Sequence, residues 1–77
     1  MFLEIKLLTP EKILYAGKAS KVILPGEEGV FEVLAHHKSL ISRLLSGKII
    51  VDKKIFPIKR GIVKVDKNRI IIIVEEP

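Results

Sequence analysis

Two groups of side chains in this 77-residue chain are of types that could do chemistry. They are the adjacent carboxylates Glu27 and Glu28, inside Gly26-Glu-Glu-Gly29, and the adjacent imidazoles His36 and His37. A carboxylate pair works as acid and base only where burial drives its two pKa values apart, and consecutive residues in a solvated turn lack that burial. The glycine frame resembles a phosphate loop, yet no Gly-Lys-Ser/Thr follows it and its carboxylates would repel phosphate. Neighbouring histidines point to opposite faces of a strand, or diverge by roughly 100° on a helix, so one chain cannot chelate an ion with both. The serines, Ser20, Ser39, Ser42 and Ser46, have neither a glycine-framed elbow nor a spaced histidine relay. No catalytic, cofactor-binding or metal site emerges, and the chain is expected to be non-catalytic, with no cofactor and no small-molecule ligand.

Length restricts the chain to one domain, residues 1–77, with a single core, because a chain this short buries only about 60% of the surface it exposes when unfolded. Such a core rarely leaves more than about 3 to 5 kcal/mol of net stability, and small scaffolds lean on disulfides, metals or partners. There is no cysteine, which excludes disulfides and thiolate metal sites and leaves partners. Fourteen Lys and Arg against nine Asp and Glu give a net charge of +5, a sign that suits nucleic acid, an anionic surface or simple solubility. The richness in Ile and Lys, with one Asn and no Gln, resembles the bias of thermophile proteins and makes that charge partly compositional. The longest apolar run, Ile70 to Val74, is far below the roughly 18 residues of a membrane span, and Glu4 and Lys6 interrupt any signal-peptide core. A soluble, intracellular protein is expected.

The elements that must position these residues are strands. Leu3, Ile5 and Leu7 alternate with Glu4 and Lys6 at the period of a half-buried strand, and Thr9-Pro10-Glu11 turns the chain. Ile13 to Ala16, ended by Gly17, and Lys21 to Leu24, ended by Pro25-Gly26, follow, and Val30 to Leu34 alternates again. Ile49 to Val51 and Ile55 to Ile58 flank the polar turn Asp52-Lys53-Lys54, with Pro57 marking an edge or a bulge. Gly61 allows a bend. Ile62 to Val65 and Arg69 to Val74 flank Asp66-Lys67-Asn68, a hairpin in which Asp and Asn tolerate left-handed backbone angles. This rhythm predicts an all-β domain, a two-sheet antiparallel β-sandwich or flattened barrel of about ten short strands.

Two stretches strain the scheme. Leu40, Ile41, Leu44 and Leu45, with His37 one turn earlier, fit helical spacing, and Ser46-Gly47 would end one or two helical turns. Ile70 to Val74 is apolar at every position, so both faces of that strand should be covered, by barrel closure or by a partner. The aromatics Phe2, Tyr15, Phe31 and Phe56 each sit in an apolar run and read as core. A small basic β-barrel that binds RNA or single-stranded DNA through aromatic platforms is the alternative from another class.

Several blocks in order resemble a family. Leu3-Glu-Ile-Lys-Leu-Leu-Thr-Pro-Glu-Lys12 matches an opening strand and turn; Leu24 to Leu40 matches a Leu-Pro-Gly turn, an acidic pair, Gly, an apolar pair and a histidine segment. Arg60-Gly-Ile-Val-Lys-Val65 and Asn68 to Val74 match a later strand and a closing hairpin. The chain resembles the N-terminal β-sandwich domain of the epsilon subunit of F-type ATP synthase, called delta in mitochondria. Glu32 stands in place of the family's second glycine, and His36-His37-Lys38-Ser39 replaces Gly-His-Ala-Pro, keeping the histidine as His37. After Glu75-Glu-Pro77 the family's C-terminal helical hairpin does not follow, so the resemblance implies a coupling subunit without the hairpin's inhibitory behaviour. It implies two five-stranded sheets, an extended Leu40 to Leu45, and a place in the central stalk, bound to the gamma subunit and the c ring, with no nucleic acid. That place is peripheral, at the cytoplasmic face of the bacterial inner membrane. It also implies a ring-facing loop of Gly26, Glu27, Glu28, Gly29 and Val30 with His37 and Lys38 at its side. The implied gamma-facing positions are Thr9, Leu40 and Ser42.

Overall fold

The computed structural model describes residues 1–77 as nine strands and no helix. They are β1 (Leu3–Leu8), β2 (Ile13–Ala19), β3 (Lys21–Gly26), β4 (Gly29–Leu34), β5 (Leu40–Leu44), β6 (Gly47–Val51), β7 (Lys54–Ile58), β8 (Arg60–Asp66) and β9 (Arg69–Glu75). All pair antiparallel to their neighbours except β1 and β9, which run parallel. Since no strand exceeds seven residues, each delivers two to four inward side chains, and many strands are needed to make one core. No helix is long and apolar enough to cross a membrane.

The pairing divides the strands into two layers. One has the order β2-β1-β9-β8-β5, and the other consists of β6 and β7 beside β3, with β4 on the far side of β3. A single pairing, Gly26 with Leu44, joins them, next to a bond from the Leu45 N–H to the Pro25 carbonyl at 2.8 Å. The chain therefore bends from β5 into β6 across Leu45-Ser46 and carries one sheet into the other. At the opposite seam the rings of Tyr15 on β2 and Phe56 on β7 meet edge to face, 6.2 Å apart. Leu3, Ile5, Leu7, Val63, Val65, Ile70, Ile72 and Val74 from the first layer face Val22, Leu24, Val33, Ile49, Val51 and Ile58 from the second, all buried. The five-strand layer agrees with the family's pattern; the other has four.

Local findings revise the sequence reading. β2 continues through Gly17 to Ala19. The left-handed residue of the last hairpin is Lys67, with φ of 57°, rather than Asp66 or Asn68. Asn68 works through its side chain instead, whose oxygen accepts the His36 N–H at 2.9 Å and pins the turn after β4, where His36 has φ of 66°. Gly61 does not bend its strand: it pairs with Val74 inside β8, and a Cβ there would lie 2.6 Å from the Ile73 carbonyl oxygen and 2.8 Å from Val74 Cγ1.

The predicted helical turns are absent. Leu40 to Leu44 is β5, paired residue by residue with β8 from Leu40 opposite Val65 to Leu44 opposite Gly61. Helical spacing groups Ile41 with Leu40 and Leu44; the strand turns Ile41 outward, 73% exposed, and buries Leu44. The β8 edge offers five consecutive partners, whereas one or two isolated helical turns carry a nucleation cost that so short a segment cannot offset. Because a backbone carbonyl leaves no room at residue 61, Gly61→Ala is expected to destabilise the fold by about 1 to 3 kcal/mol, measured by urea denaturation.

Candidate functional site

The β3–β4 hairpin carries the acidic pair to one corner. Its entry is sterically fixed: Gly26 is buried, and a Cβ on it would fall 2.7 Å from the Phe31 ring. Gly29 leaves the turn at φ of 124°, a left-handed value that side chains avoid. Glu27, Glu28 and Val30 are consequently held out in solvent, Val30 being 74% exposed. A shallow depression brings the residues of this hairpin together with His37, Leu40, Ile41 and Ser42. Glu27 is already engaged, its carboxylate 4.0 Å from Arg43 Nε, whereas Glu28 has no ion-pair partner.

The two imidazoles go to separate neighbours. His36 Nε2 contacts Met1 Sδ, while His37 Nδ1 lies 2.7 Å from the Lys38 carbonyl oxygen, where it can donate. Lys38 is exposed beside it.

The three implied gamma-facing positions do not sit alike. Leu40 and Ser42 share the depression with the acidic hairpin, on the half-buried face of β5. Thr9 lies past the end of β1 and is only 8% exposed. Its hydroxyl oxygen accepts the Glu11 N–H at 3.2 Å and the Lys12 N–H at 3.0 Å, closing the turn into β2. Thr9 thus shapes the β1–β2 turn, and the Thr-Pro-Glu spacing is the signal for such a turn.

A second feature, whose cover the sequence left open, is the outer face of the five-stranded layer. Ile71 is 44% exposed, Ile73 51% and Ile62 52%, and Ile41 stands beyond them on β5. Of the two covers expected for Ile70 to Val74, closure of the domain on itself does not occur: Ile70, Ile72 and Val74 are buried, while Ile71 and Ile73 face outward from β9. An all-apolar strand carries this signal, but the signal does not distinguish a covered face from a bare one. Phe2 also departs from its predicted core place, being 59% exposed, while Tyr15, Phe31 and Phe56 do pack against the core.

Comparison with known proteins follows this geometry. Residues 2–76 match the family described as the beta-sandwich domain of the ATP synthase delta/epsilon chain. The chain is 42% identical over 78 residues to the ATP synthase epsilon chain of Sulfurimonas denitrificans, covering 95% of this chain and 60% of that one. It is 32% identical over 78 residues to the ATP synthase epsilon chain of Chlorobium limicola, covering 89% of that protein. Several of the matched relatives are thus longer, and the chain spans about 60% of their length. The fold is similar to that of a chain in the Euglena gracilis mitochondrial ATP synthase, solved with its OSCP, F1 and c-ring, at a TM-score of 0.89 and 20% identity, over 97% of this chain and 51% of that one.

The Thr9 geometry gives a direct test. Thr9→Val keeps the volume but removes two acceptor bonds, and is expected to lower stability by about 1 to 2 kcal/mol in thermal or chemical unfolding.

Proposed function

Because the chain belongs to the ATP synthase delta/epsilon β-sandwich family, we propose that it is a non-catalytic part of the central stalk, binding the gamma subunit and the c ring and coupling ring rotation to the catalytic head. The observation that carries this reading is the match of residues 2–76, in the order of the blocks quoted from the sequence. Supporting it is the structural likeness to chains of mitochondrial ATP synthases, a likeness of fold. On this reading the protein is peripheral to a membrane, at the cytoplasmic face of a bacterial inner membrane, and is held there by the complex.

The part asked of such a domain is mechanical. A sandwich with sixteen apolar residues buried in one cluster has few voids and little freedom to shear, so a push on one end is delivered to the other. Two surfaces must then be loaded: the acidic hairpin with Gly26, Glu27, Glu28, Gly29, Val30, His37 and Lys38 toward the ring, and the positions Thr9, Leu40 and Ser42 toward gamma. The hairpin's fixed entry at Gly26 and its solvated carboxylates suit a basic loop on the ring. Each exposed ion pair across such a rim is worth about 1 kcal/mol or less and weakens with salt.

Co-purification with gamma, followed by capture of that complex on c rings, is the test of the reading; failure of this chain to join gamma defeats it. Within the hairpin the two carboxylates are unequal, since Glu27 already faces Arg43. Glu28→Lys is therefore expected to weaken ring binding more than Glu27→Lys at low salt. Full ring affinity in the Glu27→Lys/Glu28→Lys double variant would rule out the hairpin as the ring contact.

A further inference from the structure

We infer that the end of the sandwich formed by the β2–β3, β6–β7 and β8–β9 turns binds the surface of an anionic bilayer, its lysines taking lipid headgroups and Phe2 entering between them. The contact is with lipid itself and does not depend on which proteins the chain joins.

The turns at this end are fastened to one another. Asp52 Oδ1 accepts the Ser20 N–H at 3.0 Å and the Lys21 N–H at 3.2 Å, and the Lys21 carbonyl accepts the Asp52 N–H, so the β6–β7 turn is held against the β2–β3 junction. The pairing of Leu3 with Ala19 sets that junction beside the start of β1, whose Glu4 N–H is bound at 2.7 Å by the Asn68 carbonyl of the β8–β9 turn. One surface results. It carries Lys18, Lys21, Lys53, Lys54 and Lys67, all exposed and none in an ion pair. Of the carboxylates here, Glu4 already faces Arg69 at 3.7 Å and Asp52 holds two backbone N–H groups, which leaves Asp66 alone against the lysines. The acids Glu11, Glu27, Glu28, Glu75 and Glu76 lie at the opposite end, in the β1–β2 and β3–β4 turns and after β8 has returned to β9. Charge is therefore polarised along the strands.

The same end exposes apolar side chains. Phe2 is 59% exposed and Met1 78%, both ahead of β1, and Phe2 shares a depression with Lys18, Lys67 and Arg69. Cations around an exposed aromatic are the two attractions that interfacial binding combines, headgroup electrostatics and a short apolar insertion. A single strand of nucleic acid would want several stacked rings along its path, and Tyr15, Phe31 and Phe56 pack against the core instead, leaving Phe2 by itself. A second copy of the chain would set lysines against lysines. A fluid headgroup layer answers cations that stand on separate turns, because its charges move to meet them.

The test is co-sedimentation of the full chain with vesicles of phosphatidylcholine, alone or mixed with phosphatidylglycerol. Binding is expected to the anionic vesicles at low salt, with none to the neutral ones, and is expected to fall as salt is raised. Two charge reversals of equal size then separate this end from net charge: Lys21→Glu/Lys53→Glu alters it, and Lys48→Glu/Lys59→Glu alters exposed lysines nearer the other end. None of these lysines has an ion-pair partner to lose, and thermal unfolding checks that both variants are folded. The first variant is expected to bind about tenfold or more weakly, and the second to lose only a small part of that. The chain has no Trp, so Phe2→Trp supplies a single reporter whose emission is expected to shift to the blue on anionic vesicles. No binding by wild type, equal losses in the two charge variants, or an unshifted Trp emission overturns the proposal. If oligothymidylate binds the chain at the same salt while anionic vesicles do not, this end is a nucleic-acid surface and the lipid proposal fails.

Discussion

A core built only of short strands has to be closed by folding a sheet over on itself, and in this chain that closure passes through one rung, Gly26 against Leu44. The Pro25 carbonyl accepts the Leu45 N–H beside it, so the chain crosses between layers without stranding a backbone donor at the corner. A side chain at residue 26 has no room, because the Phe31 ring occupies its place. This corner sets which way the β3–β4 hairpin projects, and hence where Glu27 and Glu28 meet solvent. The same corner delivers β5 to the edge of β8, which makes Ile41 and Arg43 part of the outer face. Scaffold and both candidate surfaces thus share one steric requirement.

Period-two alternation made most of the fold legible. Leu3, Ile5 and Leu7 are buried as their spacing demands, and so are Val63, Val65, Ile70, Ile72 and Val74. The reading failed where a local pattern was compatible with two structures. Leu40, Ile41, Leu44 and Leu45 fit a helix by spacing, but the available partner was a strand edge, and five ladder pairings outweighed the local preference. Lys67 rather than Asp66 or Asn68 takes the left-handed position, and Asn68 instead accepts the His36 N–H through its side chain. Neither outcome is written in the residues that undergo it, since each depends on what the fold brings alongside.

The site was legible in a different way. The acidic hairpin could be seen because glycines and carboxylates are conspicuous in a lysine-rich chain, and Gly26 and Gly29 have the steric and backbone roles that such glycines imply. Thr9 was conspicuous as part of a turn, and its largely buried hydroxyl closes that turn by accepting two backbone N–H groups. The outer isoleucines could not be assigned from sequence at all. An apolar strand calls for cover on both faces without saying whether the second cover is the chain's own or another protein's.

The two surfaces also differ in how they can bind. The hairpin is small, solvated and acidic, so its attraction for a basic loop is long-ranged, weak and screened within about 10 Å at 0.1 M salt. The isoleucine face is broad and apolar, with cations only at intervals, so its hold on a partner comes mainly from area removed from water and survives salt. On the proposed central-stalk reading, a rotor component uses both kinds of contact. A firm, salt-resistant grip on one partner fixes its orientation, and a softer charged contact at the far corner can register against a second partner without locking to it. In this chain the division falls between the β3–β4 hairpin and the β8–β9 face, and the packed interior between them is what allows a load on one to be felt at the other.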